Sequence, residues 1–405
     1  MTSHVAAVAP RKESTPASTK LAFDSDRLDA LLDAVGIDVI VASSKHNIQY
    51  LLGGYHFFFF DAHEAEGLSR YLPLFVYFKG RPERSVYVGH EMEIWERDNG
   101  AIPAPTIETA SRSSGDAMRR AVARIKDHGG AKLRIGVERG FLPADAEDVL
   151  REGLPAAEIV DAVLPLERLR ARKTRAELEL LRKASDGVID SMLAVIAAHG
   201  PGSTKRQIAE ALRREEVMRG LNFEYCLIAA GPSLNRAPSD QVWREGDVLS
   251  LDSGGNYHGY IGDLARMAVL GPPDQELIDL LAEVETIQQA TRVPIAAGIM
   301  GSEVYRAAEA AIAKAPHSNL VHFAAHGMGL IPHEAPRLST KAPVPYPAEG
   351  AENPLEEGMV ISIETAIHHP RRGFIKLEDT VAVTGSGWEA FGDHGRGWNR
   401  GGTAK

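Results

Sequence analysis

From residue 21 onward the chain alternates short apolar runs with segments whose apolar residues recur three and four positions apart. "SDRLDALLDAVG" has helical spacing, whereas "IDVIVAS", "PLFVYF", "RSVYVG" and "RIGVE" are short β-branched and aromatic runs. This alternation predicts an α/β domain over residues 21–164. The aromatic run "FFFF" at residues 57–60 is expected in its core. Residues 1–20 are rich in Ser, Thr, Pro and Ala without a sustained apolar stretch, so they read as a disordered tail and not as a signal peptide. Around "DAVLPLERLRARKTR", residues 161–175, charge rises and the alternation stops, which marks a domain junction.

A different pattern fills residues 165–395. Thr174 and Glu177 form a T-x-x-E capping box, after which Leu181, Ala184, Val188, Met192 and Val195 recur at helical spacing. Thr204 and Gln207 open a second helix in the same way. "EGDVLSLD" at residues 245–252 is then echoed by "EGMVISIE" at residues 357–364, and each run follows two helical segments and ends on a carboxylate. The unit helix, helix, strand, hairpin therefore occurs twice, which predicts a pseudo-twofold domain with two equivalent hairpins. Residues 396–405 remain as a C-terminal tail, and the Gly-rich, two-tryptophan stretch leading into it has no assigned role.

The echoed strands carry the candidate chemistry. Each is followed by a return strand with another acid, so Asp252 is joined by Asp263 and Glu364 by Glu378. Period-two alternation places Val248, Ser250 and Asp252 on one strand face, mirrored by Val360, Ser362 and Glu364. Four carboxylates at the ends of apolar strands need a cationic partner, because burying them unpaired is costly. Arg or Lys partners would explain one such acid more readily than four. Between the hairpins lies "HFAAHGMGLIPHEAP", with His322, His326 and His333. Two Asp, two Glu and one imidazole form a mostly oxygen ligand set suited to two divalent ions. Such a pair would acidify a water and stabilise charge on a tetrahedral intermediate.

Composition narrows the field further. The 405-residue chain carries a net charge of -10, which argues against nucleic acid or an anionic membrane as partner. Cys226 is the single cysteine, so neither an internal disulfide nor a Cys-based metal site is available, and a cytoplasmic setting is expected. No segment approaches the roughly 20 apolar residues of a membrane span.

The motifs "LDSGGNYHGYIGDLAR", "HGMGLIPHE", "EEGMVISIE" and "KLEDTVAVT" together resemble those of the pita-bread metallopeptidases, the family of methionine aminopeptidase, Xaa-Pro aminopeptidase, prolidase and creatinase. The resemblance covers residues 165–390. The preceding "RLDALLDAVGIDVIVASSKHNIQYLLGGY" resembles the creatinase-type N-terminal domain of the Xaa-Pro branch. It implies an N-terminal creatinase-like α/β domain followed by a pseudo-twofold pita-bread (α+β) catalytic domain, commonly as a homodimer. It places Asp252, Asp263, His326, Glu364 and Glu378 on the five metal-ligand positions, for two divalent ions, Mn²⁺ first among Mn²⁺, Co²⁺, Zn²⁺ and Fe²⁺. His322 and His333 fall on positions that contact substrate or the reacting group, and Glu364 is also the candidate general base.

Three positions depart from that pattern. Asn235, seventeen residues before Asp252, stands where Xaa-Pro aminopeptidases carry a histidine, and is expected to hydrogen-bond substrate instead. Thr365 replaces a proline, and Lys376 replaces an arginine at a substrate-side position. The leading expectation is an aminopeptidase that removes the N-terminal residue from Xaa-Pro-like peptides. The alternative is the same centre acting on a small non-peptide substrate, as in creatine or ectoine hydrolysis or dimethylsulfoniopropionate cleavage. A non-catalytic docking protein is disfavoured because all five ligand positions are kept. Tyr257, His258 and Tyr260, on the first hairpin, are expected to pack and not to react.

Overall fold

The computed structural model describes residues 21–61, 70–129, 132–339 and 348–402, so the tail expected over residues 1–20 lies outside the described residues. The chain divides between Leu169 and Arg170 into two compact units. In the first, strands β1 (Val39–Ala42), β2 (Leu74–Phe78), β3 (Val86–His90), β4 (Thr106–Ser111), β5 (Arg134–Val137) and β6 (Glu158–Asp161) form one sheet in the order β4-β3-β2-β1-β5-β6. Helices α1 (Ser25–Val35), α2 (Lys45–Leu51), α3 (Ile94–Asp98), α4 (Ser114–His128) and α5 (Ala144–Gly153) alternate with them, and α6 (Val163–Ala171) contains the division.

Alternate residues of β1 and β2 feed two separate cores. Ile40, Ala42, Phe75 and Tyr77 join Leu28 and Leu32 of α1 on one face. Val39, Val41, Leu74 and Val76 join Met118 of α4 and Leu150 of α5 on the other. Both faces are thus covered, which is why these strands read as continuous apolar runs. The aromatic run is core only in part: Phe57 and Phe60 are buried, but Phe58 is 61% exposed.

The second unit repeats one motif. Helices α7 (Arg175–Ala198) and α8 (Lys205–Met218) start at the expected capping boxes on Thr174 and Thr204. They are followed by β7 (Asn222–Ala230) and the hairpin β8 (Val248–Tyr257) and β9 (Tyr260–Val269). Helices α9 (Gln275–Arg292) and α10 (Ser302–Ile312) then precede β10 (Val321–Gly327) and the hairpin β11 (Val360–His369) and β12 (Gly373–Val383). The strand order β10-β11-β12-β9-β8-β7 sets the two halves back to back, with β9 and β12 meeting at the centre. The pseudo-twofold domain expected from the echo is therefore present. Short strands β13 (Trp388–Phe391) and β14 (Asn399–Arg400) pair with β12 and β9.

Leu249, Leu251, Leu264 and Ala268 bury against Val188 and Met192 of α7 and Leu212 of α8. Ile361, Ile363, Val381 and Val383 join Val304 of α10. Burial of these positions leaves the alternate residues of the hairpins to the opposite face. Gly262 of β9 sits where a Cβ would come within 2.6 Å of the Ser185 backbone nitrogen in α7, so only glycine permits this approach. No helix among the described residues is long and apolar enough to cross a membrane.

Candidate metal centre

Strand register alone lines up most of the candidate acids. Ala324 lies opposite Glu364, Glu364 opposite Glu378, Glu378 opposite Ala265, and Ala265 opposite Asp252. One row of paired positions therefore crosses the sheet and carries three carboxylates. Two residues along their strands on the same face come His326, Asp263 and Lys376. Neither half of the repeat could assemble this group alone: Asp252 and Asp263 come from the first hairpin, Glu364 and Glu378 from the second.

The cluster is buried. Asp252, Asp263, His326 and Glu378 are 2–4% exposed, while the Glu364 side chain is 23% exposed. Three sets of donor atoms lie within 4.8 Å of one another: Asp263, His326 and His333; His326, Glu364 and Glu378; and Asp252, Asp263 and Glu378. His326 Nε2 is buried without a hydrogen-bond partner, and its nearest carboxylate oxygen, Glu364 Oε1, is 3.6 Å away. An orphaned imidazole nitrogen facing ionisable oxygens is a donor set that a divalent cation fits.

Lys376 enters the same cluster. Its Nζ lies 2.6 Å from Asp252 Oδ2, 2.6 Å from Glu364 Oε2 and 2.8 Å from Glu378 Oε2. Burial opposes its charge, but Asp252, Glu378 and Glu364 outweigh that and hold the ammonium well above its ordinary pKa. Glu364 is held well below the usual carboxylate range, despite burial, by Lys376 and His326. Burial and the neighbouring Asp252 push Asp263 up to about 7, and burial with the Asp263 charge raises Glu378 well above its usual value. Ser362 Oγ donates to Glu378 Oε1 at 2.8 Å.

A cavity of about 620 Å³ opens over the cluster. His322, Arg236, His368 and Phe374 line it together with Tyr305 and Phe323. The His322 and His368 rings stack at 3.9 Å, and the Arg236 guanidinium lies 4.8 Å above the Phe374 ring. His333 stacks on His326 at 3.7 Å. Burial, then the adjacent His326, lowers the His333 pKa to about 4, so its imidazole is neutral at pH 7.

The expectation for Asn235 needs correction. Asn235 is exposed and does not line the cavity; its Oδ1 accepts from Ala237 N at 2.9 Å, and its carbonyl accepts from Lys205 Nζ at 2.6 Å. Its side chain is spent on a local Asx turn. The next residue, Arg236, turns inward instead and hydrogen-bonds Asp252 Oδ2. Lys376 was expected on the substrate side but lies against three of the expected ligands. His322 and His333 do line the cavity. Tyr257 and His258 are absent from its lining, and Tyr260 donates to Glu177 Oε1 at 2.7 Å.

Sequence reasoning missed Arg236, Tyr225 and a buried triad behind the cluster. Tyr225 faces Gly254 across β7 and β8 and donates to Asp263; reading "NFEYCLIAA" as a strand would have placed it on the acidic face. In the triad, Glu334 accepts from Arg170 Nη2 and Lys173 Nζ, both at 2.8 Å. Glu334 N also donates to Gly327 O at 2.9 Å, which closes the loop between His326 and His333.

Two family models match this chain. Residues 179–385 match the family model described as metallopeptidase family M24, and residues 25–172 match the creatinase/prolidase N-terminal domain. A probable dipeptidase PepE of Mycobacterium tuberculosis is 31% identical over 254 residues, covering 61% of this chain and 61% of that protein. An Xaa-Pro dipeptidase of Pyrococcus furiosus is 28% identical over 225 residues, covering 54% of this chain and 62% of that protein. The matched region is thus less than two thirds of either relative's own length. In fold, the chain is similar to the structure of an Xaa-Pro dipeptidase from Bacillus anthracis, with a TM-score of 0.77 at 21% identity over 93% of this chain and 98% of that one.

Proposed function

The chain belongs to metallopeptidase family M24, and on that premise we propose that it is a divalent-metal-dependent peptidase that releases the N-terminal residue from short peptides with proline in second position. The observation that carries this reading is the convergence of Asp252, Asp263, His326, Glu364 and Glu378 on the floor of one cavity, with the His326 Nε2 orphaned among them. The metal's ligands would be drawn from these five residues. When bound, a divalent cation supplies a lowered water pKa and polarisation of the scissile carbonyl.

The chain's own residues supply the rest. Glu364, ionised and the most open of the five, is placed to accept a proton from the attacking water and return it to the departing nitrogen as the C–N bond breaks. His333, neutral at pH 7, is placed at the rim to donate a hydrogen bond to the substrate carbonyl. The cavity volume of about 620 Å³ suits a short peptide. The names of the relatives, dipeptidase and Xaa-Pro dipeptidase, favour substrates as short as dipeptides.

A second reading, a small non-peptide amide at the same centre, is favoured by the outward Asn235, which leaves the usual histidine position without a substrate contact. The test is incubation of Mn²⁺-loaded protein with Xaa-Pro dipeptides and tripeptides, read by mass spectrometry. Release of the N-terminal residue, abolished in Asp263→Ala, is the expected result. No release from any peptide by protein that holds metal would overturn the peptidase reading in favour of the small-amide one.

A further inference from the structure

The members of the acidic cluster differ in how they are already neutralised. On the Asp252 side the positive charge is built in. Lys376 has three N–H donors, and each has a carboxylate partner, on Asp252, Glu364 and Glu378, at 2.6–2.8 Å. The ammonium is buried, and Arg236 converges on the same Asp252 oxygen. Lys376 thus contacts three of the five expected ligands; of the other two, His326 has a buried Nε2 with no hydrogen-bond partner, and Asp263 is met by the Tyr225 hydroxyl. Neutralisation is therefore uneven, although the backbone around the cluster is a near-repeat: Asp252 is met by two cations, Glu364 and Glu378 share one of them, and His326 and Asp263 lie outside the reach of both.

We propose that this centre is built for one divalent ion, not two: Lys376, braced by Arg236, takes the place of the second. The ion belongs on the side of His326, Glu364, Glu378 and Asp263. The proposal rests on the metal-dependent reading above and adds the number of ions.

Charge favours the same count. Asp252, Asp263, Glu364 and Glu378 bring four negative charges when ionised, and Lys376 and Arg236 return two. One divalent ion balances the remaining two. A second would leave the buried site with an excess of two positive charges, and would compete with both Lys376 and Arg236 for Asp252, the carboxylate they share. Side-chain shape matters as well. An ammonium is a compact point charge that can sit among three carboxylates, whereas a guanidinium spreads its charge over a planar fork. The lysine at position 376 is therefore a functional departure from the arginine of the resembling family.

The test is the number of Mn²⁺ ions per chain, measured by elemental analysis after gel filtration, together with the electron paramagnetic resonance of the bound ions. Wild type is expected to hold one Mn²⁺ with the six-line spectrum of an isolated ion. Lys376→Met, which removes the charge while keeping a long side chain, is expected to take up two with a spin-coupled spectrum. Two coupled ions in wild type would overturn the proposal while leaving the metal-dependent reading intact, and so would a folded Lys376→Met that still holds one. No bound ion in wild type would overturn both. Should Lys376→Met not fold, the wild-type stoichiometry decides by itself.

Discussion

At the scale of single residues, one carboxyl stands out behind the site and not in it. Glu216 of α8 is fully buried, and its Oε1 lies 2.8 Å from Ser253 Oγ, which is also 2.6 Å from the Tyr225 carbonyl. A serine hydroxyl has one proton and cannot donate to both. A protonated Glu216 that donates to Ser253, with Ser253 donating to Tyr225, completes the chain. Burial accordingly pushes the Glu216 pKa up to about 8. The folded state then binds a proton that the unfolded state, titrating near 4.5, has released, so stability is lost as pH rises from 4.5 through 8. Glu216→Gln keeps the shape without the titration. Urea unfolding should show the variant and wild type nearly equal at pH 5 and the variant more stable at pH 9 by about 4 kcal/mol; equal pH slopes would refute the assignment. Strand parity in the sequence was enough to put Asp252, Asp263, His326, Glu364 and Glu378 on one face, where the structure also brings them together. It was unreliable at Asn235, because a loop has no period, and a one-residue difference decides which side chain turns inward.

Whole elements were legible to the extent that they bury a continuous face. The capping boxes at Thr174 and Thr204 and the apolar strands β1, β2, β3 and β5 appear where periodicity predicts them. Edge strands β4, "TIETAS", and β6, "EIVD", were missed because each buries only part of one face and so lacks an apolar run. The loop that follows β10 was also opaque, since it is shaped by residues far away in sequence. It is held by Glu334, 0% exposed at its side chain, between Arg170 and Lys173, and those two cations, first by Lys173, keep the carboxyl below its usual range despite burial. Glu334→Ala would strand two buried cations and should cost about 3–5 kcal/mol in chemical denaturation. Gly327 tests the same loop sterically: a Cβ there would meet the Ala335 carbonyl carbon at 2.2 Å. Gly327→Ala should therefore displace His326 and weaken Mn²⁺ binding at least tenfold by titration calorimetry, whereas unchanged affinity would show that the backbone can yield.

At the scale of the whole catalytic unit, the internal echo was the most informative feature of the sequence, because two matching strands told where opposed carboxylates would meet. What it could not show is that the meeting is unfavourable without an ion. In the metal-free protein, burial and mutual repulsion lift Asp263 to about 7 and Glu378 well above its usual value. Both then hold protons that the unfolded chain has given up above about pH 4. The sign follows: metal-free stability falls as pH rises from that point through 7. Glu364 works the other way, but its depressed pKa makes its contribution constant over the same window. A divalent cation needs the deprotonated carboxylates, so its affinity grows with pH just where the metal-free protein weakens. The thermal stabilisation produced by saturating Mn²⁺ should therefore be larger at pH 8 than at pH 5.5, on the order of 3 kcal/mol at a hundredfold excess over the dissociation constant at the higher pH. Scanning calorimetry at the two pH values, with and without Mn²⁺, measures this directly. A gain independent of pH would mean that Asp263 and Glu378 are already ionised before metal arrives, and that Lys376 and Arg236 suffice to hold all four acids charged.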